Sequence, residues 1–199
     1  CNIKKIKFII MNFIPTNLQD VYLIALNKIE DERGFFARSF CSNEFKKYNL
    51  NPNFVQQNIS YSSQLHTLRG MHYQIGKYAE DKYIRCHKGS IQDVIIDLRK
   101  NSTTYLQHQS FNLSEINYTG LYVPKGFAHG FITLAEDVLV SYLVSSNYDS
   151  KSERAIRWND PLFNINWSTS SPVLSEKDSN LANFNSIKNG LNNNYIDSD

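Results

Sequence analysis

The spacing of turns constrains this chain more than any other feature. Short runs rich in Val, Ile, Leu, Phe and Tyr recur, with turn residues between them about every ten positions. Val21–Leu26 is a continuous apolar run, and Asp31-Glu32-Arg33-Gly34 reads as a turn into a second run, Phe35–Phe40. Further strands are predicted over Phe54–Ser60, Lys82–Cys86, Ile91–Arg99, Ser110–Leu113, Leu121–Pro124, Gly126–Ile132 and Val138–Val144. Helix is predicted only over Ser42–Asn49, capped by Ser42 or Asn43. No internal repeat is present. Many short strands with frequent turns and little helix predict an all-β sandwich or barrel.

The chain has 199 residues, enough for one domain with a full core. It is 41% hydrophobic and 20% charged, the balance of a globular protein, and its 12 Tyr and 12 Phe favour strands. The net charge of +2 is too small to point to nucleic acid, and Lys4, Lys5 and Lys7 account for it. No apolar stretch is long enough to span a bilayer as a helix. Cys1, Cys41 and Cys86 form neither a disulfide framework nor a CxxC metal pattern, which fits a reducing cytoplasm. Cys86 reads as a buried free thiol. The first methionine is Met11, and residues 1–10 read as an upstream or disordered extension. Trp158 and Trp167 read as anchors beyond residue 150, and residues 181–199 as an Asn-rich disordered tail.

The stretch Thr67-Leu68-Arg69-Gly70-Met71-His72-Tyr73-Gln74 alternates around Met71 and Tyr73. As a strand it puts Gly70, His72 and Gln74 on one face and Met71 and Tyr73 on the other. That polar row lines either a pocket or a solvated face. Phe54–Ser60 poses a similar choice. Buried Gln56, Gln57 and Asn58 need hydrogen-bond partners, so the strand either lines a wet cavity or lies at a sheet edge. His72, His129 and, less so, His87 stand out by context. A histidine pair two apart is missing, since Gln74 stands two after His72, and no metal site is predicted. A metal-free barrel holding His, Lys, Tyr and Arg suits acid–base chemistry. Histidine takes a proton near neutral pH, lysine stabilises an oxyanion, and tyrosine returns a proton. Taken singly, Lys82 reads as a surface lysine and Tyr142 as a core aromatic.

Read together, the motifs resemble the dTDP-4-dehydrorhamnose 3,5-epimerase family. The resemblance runs from about Val21 to Asp178 in eight ordered pieces. They are Asp31–Phe36, Phe54–Asn58, Leu68–Gln74, Lys82–Cys86, Asp93–Arg99, Tyr122–Phe131, Trp158–Pro161 and Leu174–Asp178. The resemblance implies a cupin-like jelly-roll barrel with short peripheral helices, residues 11–180 forming one domain, and a homodimer. It implies a cofactor-independent isomerase that inverts C3 and C5 of a nucleotide-linked 4-keto-6-deoxyhexose, with neither metal nor organic cofactor. The expected conversion is dTDP-4-dehydro-6-deoxy-D-glucose to dTDP-4-dehydro-L-rhamnose.

Carried over residue by residue, His72 matches the general base and Asp178 the carboxylate that orients it. Lys82 matches the lysine at the ketone oxygen, and Tyr142 the acid on the opposite face. His129 matches a second histidine at the sugar, and Tyr148 an aromatic stacked on the thymine. Arg33 and Arg69 match cationic positions for the diphosphate or sugar, where a planar fork suits phosphate. Gln56 and Asn58 match a polar pair in the pocket wall, and Glu153 and Lys177 match outer substrate contacts. Two departures bear on the substrate. Arg38 stands where members that use dTDP often carry glutamate, and Asn147-Tyr148-Asp149 departs from a double tyrosine. The rival readings are an epimerase acting at C3 or C5 alone on another nucleotide sugar, and a non-catalytic nucleotide-sugar-binding cupin.

Overall fold

A computed structural model describes residues 10–185. The expected extension over residues 1–10, all but Ile10, and most of the expected tail lie outside the described residues. In chain order the elements are β1 (Asn12–Pro15), β2 (Tyr22–Ala25), β3 (Ile29–Asp31), β4 (Gly34–Phe36), α1 (Ser42–Lys47), β5 (Gln56–Ser62), β6 (Leu68–Gln74) and β7 (Lys82–Lys88). There follow β8 (Ser90–Asp97), β9 (His108–Ser114), β10 (Thr119–Val123), β11 (Phe127–Thr133), β12 (Val138–Val144), β13 (Glu153–Ala155) and α2 (Glu176–Ser179). A six-stranded sheet runs β1-β2-β10-β7-β12-β5, and a five-stranded sheet runs β13-β6-β11-β8-β9. All pairings between these strands are antiparallel. The two sheets face each other as the layers of a jelly roll.

The period of burial explains the layers. On β8, Ile91 and Ile95 pack between the sheets, while Val94 and Ile96 pack on the other face. β11 divides in the same way, Phe127 and Phe131 inward, Ala128 and Ile132 outward. Both strands are buried on two faces, which is why they read as near-continuous apolar runs. The outer layer comes from the C-terminal segment, where Ile156, Phe163 and Trp167 cover the five-stranded sheet. Trp167 donates its indole N–H to the Trp158 carbonyl at 2.8 Å, so both tryptophans anchor this cover. The cover extends past residue 180. The Arg157 N–H donates to the Ala182 carbonyl at 3.0 Å, and the Phe184 ring lies 5.6 Å from that of Phe163. On the other side of the molecule α1 packs Phe45 over Phe13, Tyr83 and Tyr122 of the six-stranded sheet.

Three local expectations change. The strand expected over Phe35–Phe40 shortens to β4, half of an exposed two-stranded hairpin with β3. Helix α1 is capped by Cys41, and no side chain bonds its free N–H groups. The β6 alternation breaks between Arg69 and His72, where the pairing with β11 slips by one residue. A bulge of this kind adds one residue to one strand and shifts the parity of the side chains. Gly70 is required there. It sits at φ +139°, and a Cβ would come within 2.4 Å of the Gly130 Cα.

Candidate active site

The bulge decides which β6 side chains enter the space between the sheets. Met71 and Tyr73 pack into the outer core with Leu68, as the alternation predicts. Arg69, not Gly70, joins His72 and Gln74 along the opposite wall. These residues line a cavity of about 610 Å³ between the two sheets. The five-stranded sheet supplies Arg69, His72 and His129, and His72 and His129 are register partners on β6 and β11. The six-stranded sheet supplies Gln56, Asn58, Lys82 and Tyr142. Asn58 and Ile84 flank Tyr142 in register, and Lys82 lies across from Val144, so Lys82 and Tyr142 share one face. The C-terminal segment closes the end with Tyr148, Glu153, Lys177 and Asp178.

Both readings of the polar strand therefore apply at once. β5 is the edge of its sheet and also a cavity wall. Gln56 Nε2 donates to Asn58 Oδ1 at 2.8 Å inside, while Val55, Ile59 and Tyr61 are exposed on the chain around them.

Each histidine has its own carboxylate. His72 Nε2 lies 2.7 Å from Asp178 Oδ1, and His129 Nε2 lies 2.9 Å from Asp93 Oδ2. Asp178 is buried in the first turn of α2, whose N-cap Ser175 accepts from the Asp178 N–H at 3.1 Å. Burial raises the Asp178 carboxyl, but hydrogen bonds from His72, Gly70 N–H and Ser175 outweigh it and hold it below the usual carboxylate range. The carboxylate therefore accepts, and a neutral His72 carries its proton on Nε2 and its lone pair on Nδ1. His72 keeps 30% of its side chain exposed and His129 only 10%. Burial foremost, and then the charge of Glu80, push the Tyr142 hydroxyl above its ordinary value, against the lowering effect of Arg69. At the rim, Glu153 accepts from Lys177 Nζ at 2.6 Å and from the Tyr148 hydroxyl at 3.1 Å.

Arg33 is not at this cavity. It stands on the turn between β3 and β4, its side chain 84% exposed, paired with Asp31 at 2.5 Å. Arg38 is also elsewhere. It pairs at 2.6 Å with Glu44, a buried acid of α1 that also accepts from the Met11 N–H. Two acids at the site, Asp93 behind His129 and Glu80 in the cavity wall, are not among the residues the sequence singles out. Asp93 lies in a run that reads as a strong strand, and its signal is an acid, like Asp97, on the inward parity of that run. Glu80 fell in a segment read as loop, and its signal was the two-residue spacing to Lys82.

A sequence profile of the family described as dTDP-4-dehydrorhamnose 3,5-epimerase matches residues 15–186. That span takes in every strand of both sheets except the first residues of β1, and all of α2. The chain belongs to the dTDP-4-dehydrorhamnose 3,5-epimerase family. It is 41% identical over 170 residues to the dTDP-4-dehydrorhamnose 3,5-epimerase of Sinorhizobium fredii, covering 85% of this chain and 87% of that one. It also matches the crystal structure of the dTDP-4-dehydrorhamnose 3,5-epimerase from Elizabethkingia anophelis, with a TM-score of 0.85 and 41% identity over 87% of this chain and 96% of that one. The Legionella pneumophila dTDP-6-deoxy-D-glucose-3,5-epimerase, solved in complex with dTDP-4-keto-L-rhamnose, matches with a TM-score of 0.81 and 35% identity over 87% and 92% of the two chains. The family's cupin-like jelly roll is the fold described above.

Proposed function

We propose that this chain is an isomerase that inverts C3 and C5 of dTDP-4-dehydro-6-deoxy-D-glucose to give dTDP-4-dehydro-L-rhamnose. One observation carries the reading. A histidine–carboxylate pair, His72–Asp178, faces a lysine and a tyrosine, Lys82 and Tyr142, across one cavity between two sheets. Inversion needs a proton taken from one face of a carbon and returned to the other, and groups on opposing sheets approach a flat sugar from opposite sides. A C–H next to a ketone is acidic only if charge can move to the ketone oxygen. His72 takes that proton, and Asp178 supports the imidazolium that results. The Lys82 ammonium stabilises the enolate oxygen. Tyr142 returns a proton from the far side, and before the second carbon reacts His72 releases its proton to solvent and Tyr142 takes one up from it. Every proton in this scheme moves between the sugar, these two side chains and solvent.

His129 with Asp93, Gln56 and Asn58 hold the sugar in this reading. Arg69 binds the diphosphate, Tyr148 stacks on the base, and Glu153 and Lys177 form the outer contacts. Arg33 reaches a cavity only from a second copy. Its hairpin exposes Ile29, Phe35 and Phe36 and pairs with neither sheet, while the edge strand β5 exposes Ile59 and Tyr61. The reading therefore includes a homodimer in which β3–β4 of one copy covers the neighbour and adds Arg33 to its cavity. Sedimentation should give twice the chain mass, and a monomer with full activity would contradict this part. A cytoplasmic location fits the free thiols of Cys41 and Cys86. The reaction itself is tested by incubating the purified chain with dTDP-4-dehydro-6-deoxy-D-glucose and assigning the product by NMR. The L-rhamno product supports the proposal, and a product inverted at one carbon only would replace it with a single-site epimerase.

A further inference from the structure

Glu80 lines the cavity but has no part in the scheme above. Its position follows from the residue after it. Asp81 points to the opposite side of the chain, where its carboxylate accepts from Asn51 at 2.8 Å, from the Tyr122 hydroxyl at 3.0 Å, from Ser145 at 3.0 Å and from the Lys125 N–H at 3.1 Å. Four donors fix Asp81, and in extended backbone its two neighbours must then share the other side. Glu80 and Lys82 do so, with Glu80 Oε1 3.2 Å from Lys82 Nζ and both side chains 11% exposed. The other carboxylate oxygen accepts from Gln74 Nε2 at 3.0 Å. Gln74 is itself held, since its Oε1 accepts from the Asp149 N–H at 2.7 Å. The carboxylate is thus clamped from β6 and set beside the lysine before any ligand arrives.

We propose that Glu80 is a positioning residue for this site: it holds the Lys82 ammonium at the cavity wall and supplies the negative charge that the Tyr142 hydroxyl faces. The proposal rests on the epimerase reading for its consequence, not for its geometry. An almost buried ammonium without a partner is costly, and a single carboxylate both satisfies and aims it. One of its three N–H groups goes to Glu80, which leaves two for a ketone oxygen. Other titratable groups share the cavity with Tyr142. Lys82 shares its sheet face, and Gln56 and Asn58 on β5 are neutral. Arg69, His72 and the His129–Asp93 pair face it from the five-stranded sheet, and Tyr148, Glu153, Lys177 and Asp178 close the cavity end. Beyond burial, the tyrosine responds to Glu80, which raises it, and to Arg69, which lowers it. An acid that must carry its proton into each turnover benefits from the carboxylate nearby.

The test is a pH titration of the full-length chain, without substrate, followed by tyrosinate absorbance. The ionisation step present in the wild type and missing from Tyr142→Phe belongs to Tyr142. Glu80→Gln keeps the shape and an acceptor for Lys82 but removes the charge, so this step moves to lower pH. Glu80→Asp keeps the charge, so the step stays near its wild-type position. A step unmoved in Glu80→Gln, or moved equally by both variants, overturns the proposal. Because no substrate is used, this outcome is independent of whether the chain epimerises. With turnover, the alkaline limb of kcat moves in the same direction in Glu80→Gln, and Glu80→Ala loses up to about 100-fold in kcat, the scale of a misplaced catalytic group. A wild-type kcat in Glu80→Ala would overturn the positioning of Lys82.

Discussion

Two histidines line one cavity, each backed by its own aspartate, and exposure separates their work. His72 opens its ring toward the cavity, whereas His129 is held by a fully buried Asp93. The account gives proton abstraction to His72 alone. His72→Ala should therefore reduce exchange of the sugar C–H protons by about 10²–10⁴-fold, the usual contribution of a positioned base, while dTDP binding changes little. Calorimetry and NMR exchange on the same sample would check both, and near-normal turnover would remove His72 from the role. Tyr142→Phe tests the opposite face. Deprotonation should continue in it while inversion fails at one carbon or both, and unchanged epimerisation would discard the assignment. At this scale the sequence was informative wherever a role needs a particular residue type at a motif position. Lys82 and Tyr142 read as surface and core residues when taken singly, and only the ordered motifs placed them together. Asp93 and Glu80 were missed because their partners, His129 and Gln74, are brought to them by tertiary packing or by the folded path of a loop.

Among the elements, β6 carries most of the site, and its bulge sets the row of polar side chains. Periodicity alone gave Gly70 a place in that row, because alternation assumes unbroken pairing. The slip between Arg69 and His72 puts an arginine there instead. Gly70→Ala should cost about 1–3 kcal/mol, the range for overpacking a close-packed site, because the added Cβ would meet backbone rather than a movable side chain. Denaturant unfolding measures this, and a wild-type midpoint would contradict the argued closeness of β6 and β11. The β3–β4 hairpin was harder to read. Phe35 and Phe36 read as the start of a strand in the sequence, and within one chain they are exposed. In the proposed homodimer a second copy covers them, and no pattern within one chain reports such a contact. Helix α1 was located correctly, but its cap was not. Ser42 became its first residue, and Cys41 took the cap without a side-chain bond.

At the end of β8 a buried charge cluster ties the strand to the segment before β2 through Arg99 and Asp20. Asp97 has no exposed side-chain surface and accepts from Arg99, Ser102 and Thr104. Burial raises its carboxyl, but these hydrogen bonds together hold it below its ordinary value of 3.8. A carboxyl whose pKa is depressed by folding adds stability that is present above its unfolded value and lost as pH falls through the folded one. Asp97→Asn should therefore lower stability at pH 7 by about 2–4 kcal/mol, since it leaves buried donors and the Arg99 charge poorly matched. The gap to wild type should narrow as pH falls below the ordinary value of 3.8, where the unfolded chain takes up a proton that the native carboxyl still resists. Urea unfolding at the two pH values checks the sign, and an equal gap at both would refute it. Fold class was legible at this scale because strand length and turn spacing report directly on sheets. The pairing order was not, because a jelly roll joins strands such as β2 and β10 that lie far apart in sequence. Among the described residues no helix is long and apolar enough to cross a membrane.

The most direct test of the central claim is deuterium incorporation. The full chain is incubated in D2O with dTDP-4-dehydro-6-deoxy-D-glucose, and the sugar protons are followed by NMR. The account predicts deuterium at both C3 and C5, with the L-rhamno product, and neither signal change in His72→Ala. A folded wild-type chain that binds dTDP yet exchanges neither proton would contradict it.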